Sequence, residues 1–155
     1  MPVPNGFEPL ASASPFNGMA GPLFVRLDQD ENPVVGFEVL DKHCNTSGRV
    51  HGAMIAALAD ISLGKGIGMA LVRAGLIENK ATTTAEIGAG APIATVTLNT
   101  NYVGNAVAGD WVESHVTVNK VGRRMAFADA SIIKVVHSVN SDTPVAQCSA
   151  VFAVL

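Results

Sequence analysis

Apolar and polar residues alternate in several short stretches and form one long, almost continuous apolar run, so the chain is predicted to contain six strands and one long helix. The first two strands are predicted at 23–27 and 34–40, on either side of a turn-forming segment. The helix is predicted at 50–70, and the remaining strands at 94–102, 111–121, 124–136 and 145–154. An antiparallel sheet with a separate helix is an α+β arrangement.

The strand predicted at 94–102 alternates visibly. Val96 and Leu98 share one predicted face, and Thr95 and Thr97 share the opposite face. A strand of this kind covers a core with its apolar face and turns the other face to solvent.

The predicted helix is apolar on most sides, which places it at the centre of the fold with the sheet wrapped around it. Glycines at 64, 66 and 68 weaken its C-terminal part but permit close packing. Residues 74–93 are rich in Gly, Ala and Thr and are predicted to form a long loop with room for a short helix. Residues 1–21 are predicted to be an irregular N-terminal arm, and residues 22–155 a single domain.

The composition fits one apolar domain. The chain has 155 residues, of which 48% are hydrophobic and 15% are charged. This balance is apolar for a small domain. We therefore expect part of the apolar surface to lie in a subunit interface.

Charge and cysteine usage argue against several classes of protein. A net charge of −3 disfavours nucleic-acid binding, which usually requires a basic surface. Asp60 and Lys65 interrupt the most apolar run, so no membrane span is predicted. The first residues lack the pattern of a signal peptide, and the two cysteines cannot form a disulfide framework, so the cytoplasm is the expected compartment.

The start of the helix carries the first candidate chemistry. His51 and Gly52 stand where the apolar run begins. Because the N–H groups of a first helical turn lack acceptors within the helix, the Gly52 N–H is a candidate donor to an oxyanion, with His51 shaping the turn. A glycine here also suits a tight helix entry that has no catalytic role.

Asp60 is the only acid within the apolar run. An acid in such a setting needs a partner or a function. Asp60 is therefore a candidate general base for water or, failing that, the direct nucleophile. The alternative is an ion pair with Lys65 or Arg73.

One spaced motif leads into the helix: His43-x-Asn45, His51-Gly52 and Leu58-Ala59-Asp60. This motif and the order of the elements resemble the hotdog-fold thioesterases of the phenylacetic-acid-pathway (PaaI-like) type. The resemblance covers residues 22–155 and implies a curved six-stranded antiparallel sheet around the long helix. It also implies cofactor-independent hydrolysis of an aryl- or fatty-acyl-CoA thioester by dimers or dimers of dimers, and it supports the oxyanion role of Gly52.

Two further candidates accompany the motif. The amide of Asn45 both donates and accepts hydrogen bonds, so it could orient the thioester or the attacking water, although Asn is also a common turn residue. Thr95 stands at the start of the strand after the helix, where members of the resembled family often carry a hydroxyl beside the attacking water. Strand propensity explains Thr95 equally well.

Helix geometry independently indicates a shared site. Gly52 and Asp60 are separated by about 12 Å along a straight helix, which is too far for both to reach one carbonyl. Two antiparallel helices across a two-fold axis would bring Asp60 of one subunit beside Gly52 of the other. Helix geometry therefore predicts a homodimer as the active species, and the resemblance implies that it assembles further into a homotetramer.

Lys120, Arg123 and Arg124 lie in a predicted hairpin turn and are candidates to bind the phosphates of CoA, unless they form an ordinary solvated turn. No metal site is predicted, because His43 and Cys44 lack a second pair of ligands at suitable spacing. A Cys44 nucleophile lacks a third residue to orient its histidine.

Two other functions would use the same fold. A non-catalytic acyl-thioester or lipid-binding module would keep the pocket without needing Asp60 for binding. A hotdog dehydratase needs a paired acid and histidine, and Asp41 with His43 does not reproduce its usual motif. The sequence therefore favours a thioester hydrolase.

Overall fold

The computed structural model describes residues 3–136 and 142–155. The elements, in chain order, are β1 (Glu8–Pro9), α1 (Pro15–Ala20), β2 (Phe24–Leu27), β3 (Pro33–Glu38), α2 (Gly52–Arg73), β4 (Ile93–Tyr102), β5 (Trp111–Val121), β6 (Met125–Val135) and β7 (Thr143–Val154). Two 3-10 helices, Asp41–His43 and Thr84–Glu86, lie in the connections. Every predicted strand and the predicted long helix are present, with small shifts at their ends.

The strands form one antiparallel sheet in the order β1-β2-β3-β5-β6-β7-β4. The described part of the chain gives seven strands, one more than predicted. The additional strand is β1, which pairs with β2 through Glu8 opposite Val25 and Pro9 opposite Phe24. The sheet wraps around α2, and the predicted α+β hotdog fold is confirmed.

Burial fixes how α2 sits in the sheet. Its largest apolar side chains are almost completely removed from solvent: Ile55, Leu58, Leu63, Ile67 and Leu71. Burying each such side chain contributes about 1.5–3 kcal/mol relative to leaving it exposed. These side chains share one core with inward residues of the strands, including Phe37, Val112 and Ile132.

Two of the helix glycines allow neighbouring segments to approach α2 closely. A Cβ on Gly66 would lie 2.7 Å from Val116 Cγ1 of β5. A Cβ on Gly68 would lie 3.0 Å from the Cα of Gly88 in the segment after the helix. Small residues are therefore required here to seat a strand and the 74–93 segment against α2.

The arm is more regular than predicted. Ser14 caps α1 by accepting a hydrogen bond from the Asn17 N–H at 3.4 Å. Phe7 packs edge-on against Trp111, with ring centroids 5.0 Å apart, and the Arg26 guanidinium lies 5.1 Å from the Phe7 ring centroid. The prediction of an irregular arm was wrong for β1 and α1, because a cap and pairing with β2 order segments that have no hydrophobic period.

By length and apolar composition α2 is suited to crossing a membrane, with a mean hydropathy of 1.6 in its most apolar window. However, 56% of that window is buried inside the fold. A core helix has these same properties, so they are weak evidence for a membrane span.

Candidate active site

The N-terminus of α2 presents one backbone donor without an acceptor. His51 Nδ1 accepts a hydrogen bond from the Ala53 N–H at 3.0 Å. The His51 carbonyl accepts from the N–H groups of Met54 at 2.9 Å and Ile55 at 3.3 Å. Among the described residues nothing accepts from the Gly52 N–H. This N–H lies at the positive end of a 22-residue helix and is suited to an oxyanion.

His51 therefore acts as the cap of α2. Because its Nδ1 accepts from Ala53, a neutral ring carries its proton on Nε2. The His51 N–H donates to the His43 carbonyl at 2.7 Å, which ties the helix start to the preceding 3-10 helix. These contacts hold the turn around Gly52, as expected of a residue that shapes it.

Asp60 and Thr95 meet in the structure. The Thr95 hydroxyl donates a hydrogen bond to Asp60 Oδ1 at 2.6 Å. Neither Lys65 nor Arg73 forms a described ion pair with Asp60. Arg73 instead donates to the Glu31 carbonyl at 2.7 Å. Asp60 is thus held by a neutral donor, and its second oxygen has no described partner and can meet water or substrate.

A β-bulge aims Thr95 at Asp60. The pairing of β4 with β7 shifts between Thr95 and Thr97, so Val96 is an additional residue in β4. Thr95 then pairs with the inward-facing Phe152. The predicted alternation, with Thr95 on the face opposite Leu98, was wrong, because the bulge moves Thr95 to the inner face.

Asp60 lies on a side of α2 that the sheet leaves partly open. The residues flanking it on this side are small and only partly buried or exposed: Ala53, Ala56, Ala57 and Gly64. Another chain can therefore approach the helix backbone closely along this face. We refer to these four residues and Asp60 as the open face of α2.

Asn45 forms a turn. Its Oδ1 accepts hydrogen bonds from the N–H groups of Ser47 at 2.9 Å and Arg49 at 3.3 Å. The side chain is exposed, and its amide nitrogen has no described partner. Asn45 therefore stabilises a turn, which the sequence allowed as an alternative to a role at the site. Only its amide N–H₂ is left to contact a ligand.

Comparison with known sequences assigns the family. The model of the family described as Thioesterase superfamily matches residues 47–138, which is more than half of the chain. The chain belongs to the thioesterase superfamily. A Pseudomonas aeruginosa protein named "putative esterase" is 38% identical to this thioesterase over 152 residues, which is 98% of this chain and 97% of that protein.

Solved structures share the fold of this chain. A mutant of the phenylacetic acid degradation protein PaaI from Thermus thermophilus has a TM-score of 0.64 and 22% identity, covering 92% of this chain and all of that chain. A Bacillus halodurans protein solved with CoA has a TM-score of 0.61 and 18% identity, covering 84% of this chain and 72% of that chain. These structures show the hotdog fold that the resemblance implied. The family model shows the thioesterase superfamily, whose chemistry is the hydrolysis of thioesters.

The basic residues of the thioesterase lie at the tip of the β5–β6 hairpin. Lys120, Arg123 and Arg124 are exposed, and their side chains form no described hydrogen bond or ion pair. The structure does not bring them into contact with Asp60 or Gly52. However, Thr95, Phe152 and the start of β6 are in register across adjacent strands. The hairpin and Thr95 therefore lie at the same end of the sheet, on strands about 10 Å apart.

His43 and Cys148 are buried in the interior of the fold. Burial lowers the pKa of His43, and the charge of Lys42 lowers it further. Its Nδ1 accepts from the Leu40 N–H at 3.0 Å, and its Nε2 is buried without a hydrogen bond. Burial raises the pKa of the Cys148 thiol, which disfavours the reactive thiolate. Within 3–136 and 142–155, no group of three His, Cys, Asp or Glu residues is arranged to hold a metal ion.

Sequence reasoning missed Tyr102. This residue ends β4, and its hydroxyl donates to the Gly52 carbonyl at 3.0 Å. The two residues lie 50 positions apart in sequence, so no local pattern connects them. The one available signal was that Tyr102 is the only tyrosine in the chain and is placed at the end of the strand that begins near Thr95.

Proposed function

We propose that this protein hydrolyses acyl-CoA thioesters at two equivalent sites shared across a homodimer. The observation that carries the proposal is the unpaired Gly52 N–H at the start of α2, on the same helix as an Asp60 carboxylate aligned by Thr95. This combination supplies an oxyanion donor and a base, the two groups that thioester hydrolysis requires.

In the proposed reaction, an oxygen nucleophile attacks the thioester carbonyl carbon, and the carbonyl oxygen becomes an oxyanion that accepts a hydrogen bond from the Gly52 N–H. Asp60 either removes a proton from the attacking water or attacks the carbon itself to form an anhydride, which water then hydrolyses. In the water route, collapse of the tetrahedral intermediate breaks the C–S bond, and protonated Asp60 returns its proton to the leaving sulfur, which releases the CoA thiol and the carboxylic acid. In the nucleophile route, collapse releases the CoA thiolate and leaves the acyl group on Asp60, and hydrolysis of this anhydride by water releases the carboxylate and a proton for the thiolate. The Thr95 hydrogen bond leaves one carboxylate oxygen of Asp60 free for either role.

Two features support a shared site. Gly52 and Asp60 are separated by about 12 Å along α2, so a single chain does not place both on one carbonyl. The open face of α2 consists of small residues around Asp60, and a partner helix can pack closely against it. Two such helices in antiparallel orientation place each Asp60 beside the Gly52 of the other subunit.

The edge of the sheet also favours a second copy. β4 is the last strand of the sheet and has exposed apolar residues on it and just after it, with Val96, Tyr102 and Val103 58%, 53% and 61% exposed. An unpaired, apolar edge strand is suited to pairing with another strand. We propose that β4 lies at the dimer interface, and that two dimers assemble into a tetramer.

CoA is the proposed carrier because the β5–β6 hairpin has three cations without described partners at the sheet end where Thr95 and Asp60 lie. Phosphates are bound by such Lys and Arg side chains. The Bacillus halodurans structure with CoA supports this choice by its fold. The substrate panel below distinguishes an aromatic acyl group from an aliphatic one.

The test is release of free thiol from a panel of aryl- and fatty-acyl-CoA thioesters, comparing wild type with Asp60→Asn. Asp129→Asn is the matched control, because Asp129 is an exposed acid on β6 that bonds only Asn119 among described side chains. We expect turnover in wild type and in the control, and a loss of at least about a hundredfold in Asp60→Asn. Binding of acyl-CoA without turnover by wild type would contradict the proposal and favour a binding module.

A further inference from the structure

Tyr102 contacts the candidate oxyanion donor from the far end of β4. Its hydroxyl donates a 3.0 Å hydrogen bond to the Gly52 carbonyl. Its ring also covers the residue, since a Cβ on Gly52 would lie 3.4 Å from the ring carbons Cε1 and Cζ. Tyr102 is 53% exposed, so the core does not require an aromatic residue here.

The contact fixes a peptide group. The carbonyl of the Gly52–Ala53 peptide accepts from Tyr102, and the N–H of the same peptide donates to His51 Nδ1 at 3.0 Å. The preceding peptide, which carries the Gly52 N–H, has its carbonyl bonded to Met54 and Ile55. Both peptides that flank the Gly52 Cα are therefore hydrogen-bonded, and Tyr102 supplies the contact that comes from another element of the fold.

Gly52 needs such restraint because glycine has no Cβ to limit its backbone angles. A first helical turn is also where helices fray, since its N–H groups lack intrahelical partners. An oxyanion donor contributes most when its direction is fixed before the reaction. A hydroxyl on the Gly52 carbonyl and a ring beside the Cα would supply that restraint.

We propose that Tyr102 is a positioning residue that holds the Gly52 N–H in the direction of the developing oxyanion. The proposal rests on the proposed function of the site. Tyr102 acts through Gly52 and transfers no proton. The contributions of the ring and of the hydroxyl can be measured separately, because Tyr102→Phe retains the ring and removes only the hydrogen bond.

The test compares Tyr102→Phe with wild type in steady-state kinetics on an acyl-CoA substrate. We expect kcat to fall about tenfold and KM to stay within about twofold. The reason is that a misdirected N–H stabilises the transition state less, whereas binding of the substrate changes little. The pH profile of kcat/KM should keep its shape. Thr97→Val is the matched control, since it removes an exposed hydroxyl from the same strand without a described contact to Gly52.

A second readout does not depend on activity. The Ala56 N–H faces the Gly52 carbonyl one turn along the helix, so its amide exchange reports order in the first turn. We expect exchange several-fold faster in Tyr102→Phe than in Thr97→Val or wild type, at equal oligomeric state.

The outcomes separate the two proposals. Full turnover and unchanged exchange in Tyr102→Phe, beside an inactive Asp60→Asn, would overturn the role of Tyr102 and leave the proposed function intact. No turnover in wild type would overturn the proposed function. It would also overturn the role of the Tyr102–Gly52 contact in stabilising an oxyanion. Reduced kcat together with faster exchange supports the positioning role.

Discussion

The Thr95 hydroxyl lies 2.6 Å from Asp60 Oδ1 and donates a hydrogen bond to it across the gap between β4 and α2. The bond exists because a bulge at Val96 turns Thr95 inward. It holds the carboxylate at one oxygen and leaves the other oxygen available. The pair therefore joins a helix residue and a strand residue into one reactive group.

Replacing Thr95 with Val should lower kcat about tenfold while the fold is retained, because the isosteric side chain keeps its volume but loses the hydrogen bond that orients Asp60. Thr95→Ser should recover much of the activity, since it restores the hydroxyl. Initial rates of thiol release with the three proteins are the measurement. Equal rates in Val and Ser variants would mean that the hydroxyl has no part in the reaction.

Mixing two inactive variants tests whether the site is shared. Asp60→Asn removes the base, and Gly52→Pro removes the N–H at the first helical position, where proline is accepted. If each site uses Asp60 of one subunit and Gly52 of the other, a mixed dimer regains one intact site. Random reassortment of co-expressed chains should then give about a quarter of wild-type activity.

The controls for this experiment are the two homodimers and the doubly substituted chain, which should all remain inactive. Activity that does not rise in the mixed sample, with subunit exchange verified by mass spectrometry, would place both groups within one chain.

Neutralising the β5–β6 hairpin tests its proposed role with CoA. Substituting Lys120, Arg123 and Arg124 by Ala should raise KM for acyl-CoA about tenfold, because phosphate contacts would be lost. The same protein should hydrolyse the matching N-acetylcysteamine thioester with unchanged kcat/KM, since that substrate has no phosphates. An equal effect on both substrates would indicate a structural change.

Glu113 should make the free energy of unfolding depend on pH in the acidic range. Burial alone raises the pKa of Glu113, but hydrogen bonds from His115 and Trp111 and the charge of Arg26 outweigh it and hold the pKa below its usual value. His115 Nε2 lies 3.0 Å and Arg26 Nη2 3.4 Å from Oε1. A lowered folded pKa stabilises the protein above the unfolded value of about 4.3, and this contribution is lost as pH falls through the folded pKa.

Urea unfolding of wild type and Glu113→Gln measures this contribution. We expect the difference in unfolding free energy between them to be largest near pH 7 and to shrink as pH falls below about 4.3. Glu78→Gln, at an exposed position, is the control. A difference that does not change with pH would contradict the assignment to Glu113.

Lys65 is expected to destabilise the fold at neutral pH. Lys65 is 8% exposed, its side chain makes no described hydrogen bond or ion pair, and burial lowers its pKa. The charged Lys65 lowers the free energy of unfolding by its full amount at pH values below the lowered pKa of the folded state. This loss becomes smaller as pH rises toward the pKa of lysine in the unfolded chain, about 10.4. Lys65→Met should therefore raise the melting temperature at pH 7 by about 2–4 °C.

The comparison for this change is Lys80→Met, because Lys80 is exposed and its replacement should leave the melting temperature almost unchanged. A lower melting temperature in Lys65→Met at pH 7 would show that the lysine has a favourable contact.

The sequence by itself determined the fold class, the long helix with Gly52 at its start and the acid at position 60. These features depend on local period, local capping and the isolation of one acid in an apolar run, which neighbouring residues define. The motif around them also indicated the thioesterase family that the comparisons assign.

Only the tertiary structure decided which groups meet. Thr95 was expected on the face opposite Leu98. The residue types around Val96 do not indicate a bulge, so the extra residue there could not be predicted from the sequence. Tyr102 and Gly52 come together because β4 lies against α2 along its length. A one-residue change in strand register moves every side chain to the other face, and such a change is fixed by pairing between strands that are distant in sequence. For this reason the sequence could name Asp60 and Gly52, whereas the contacts of both required the folded chain.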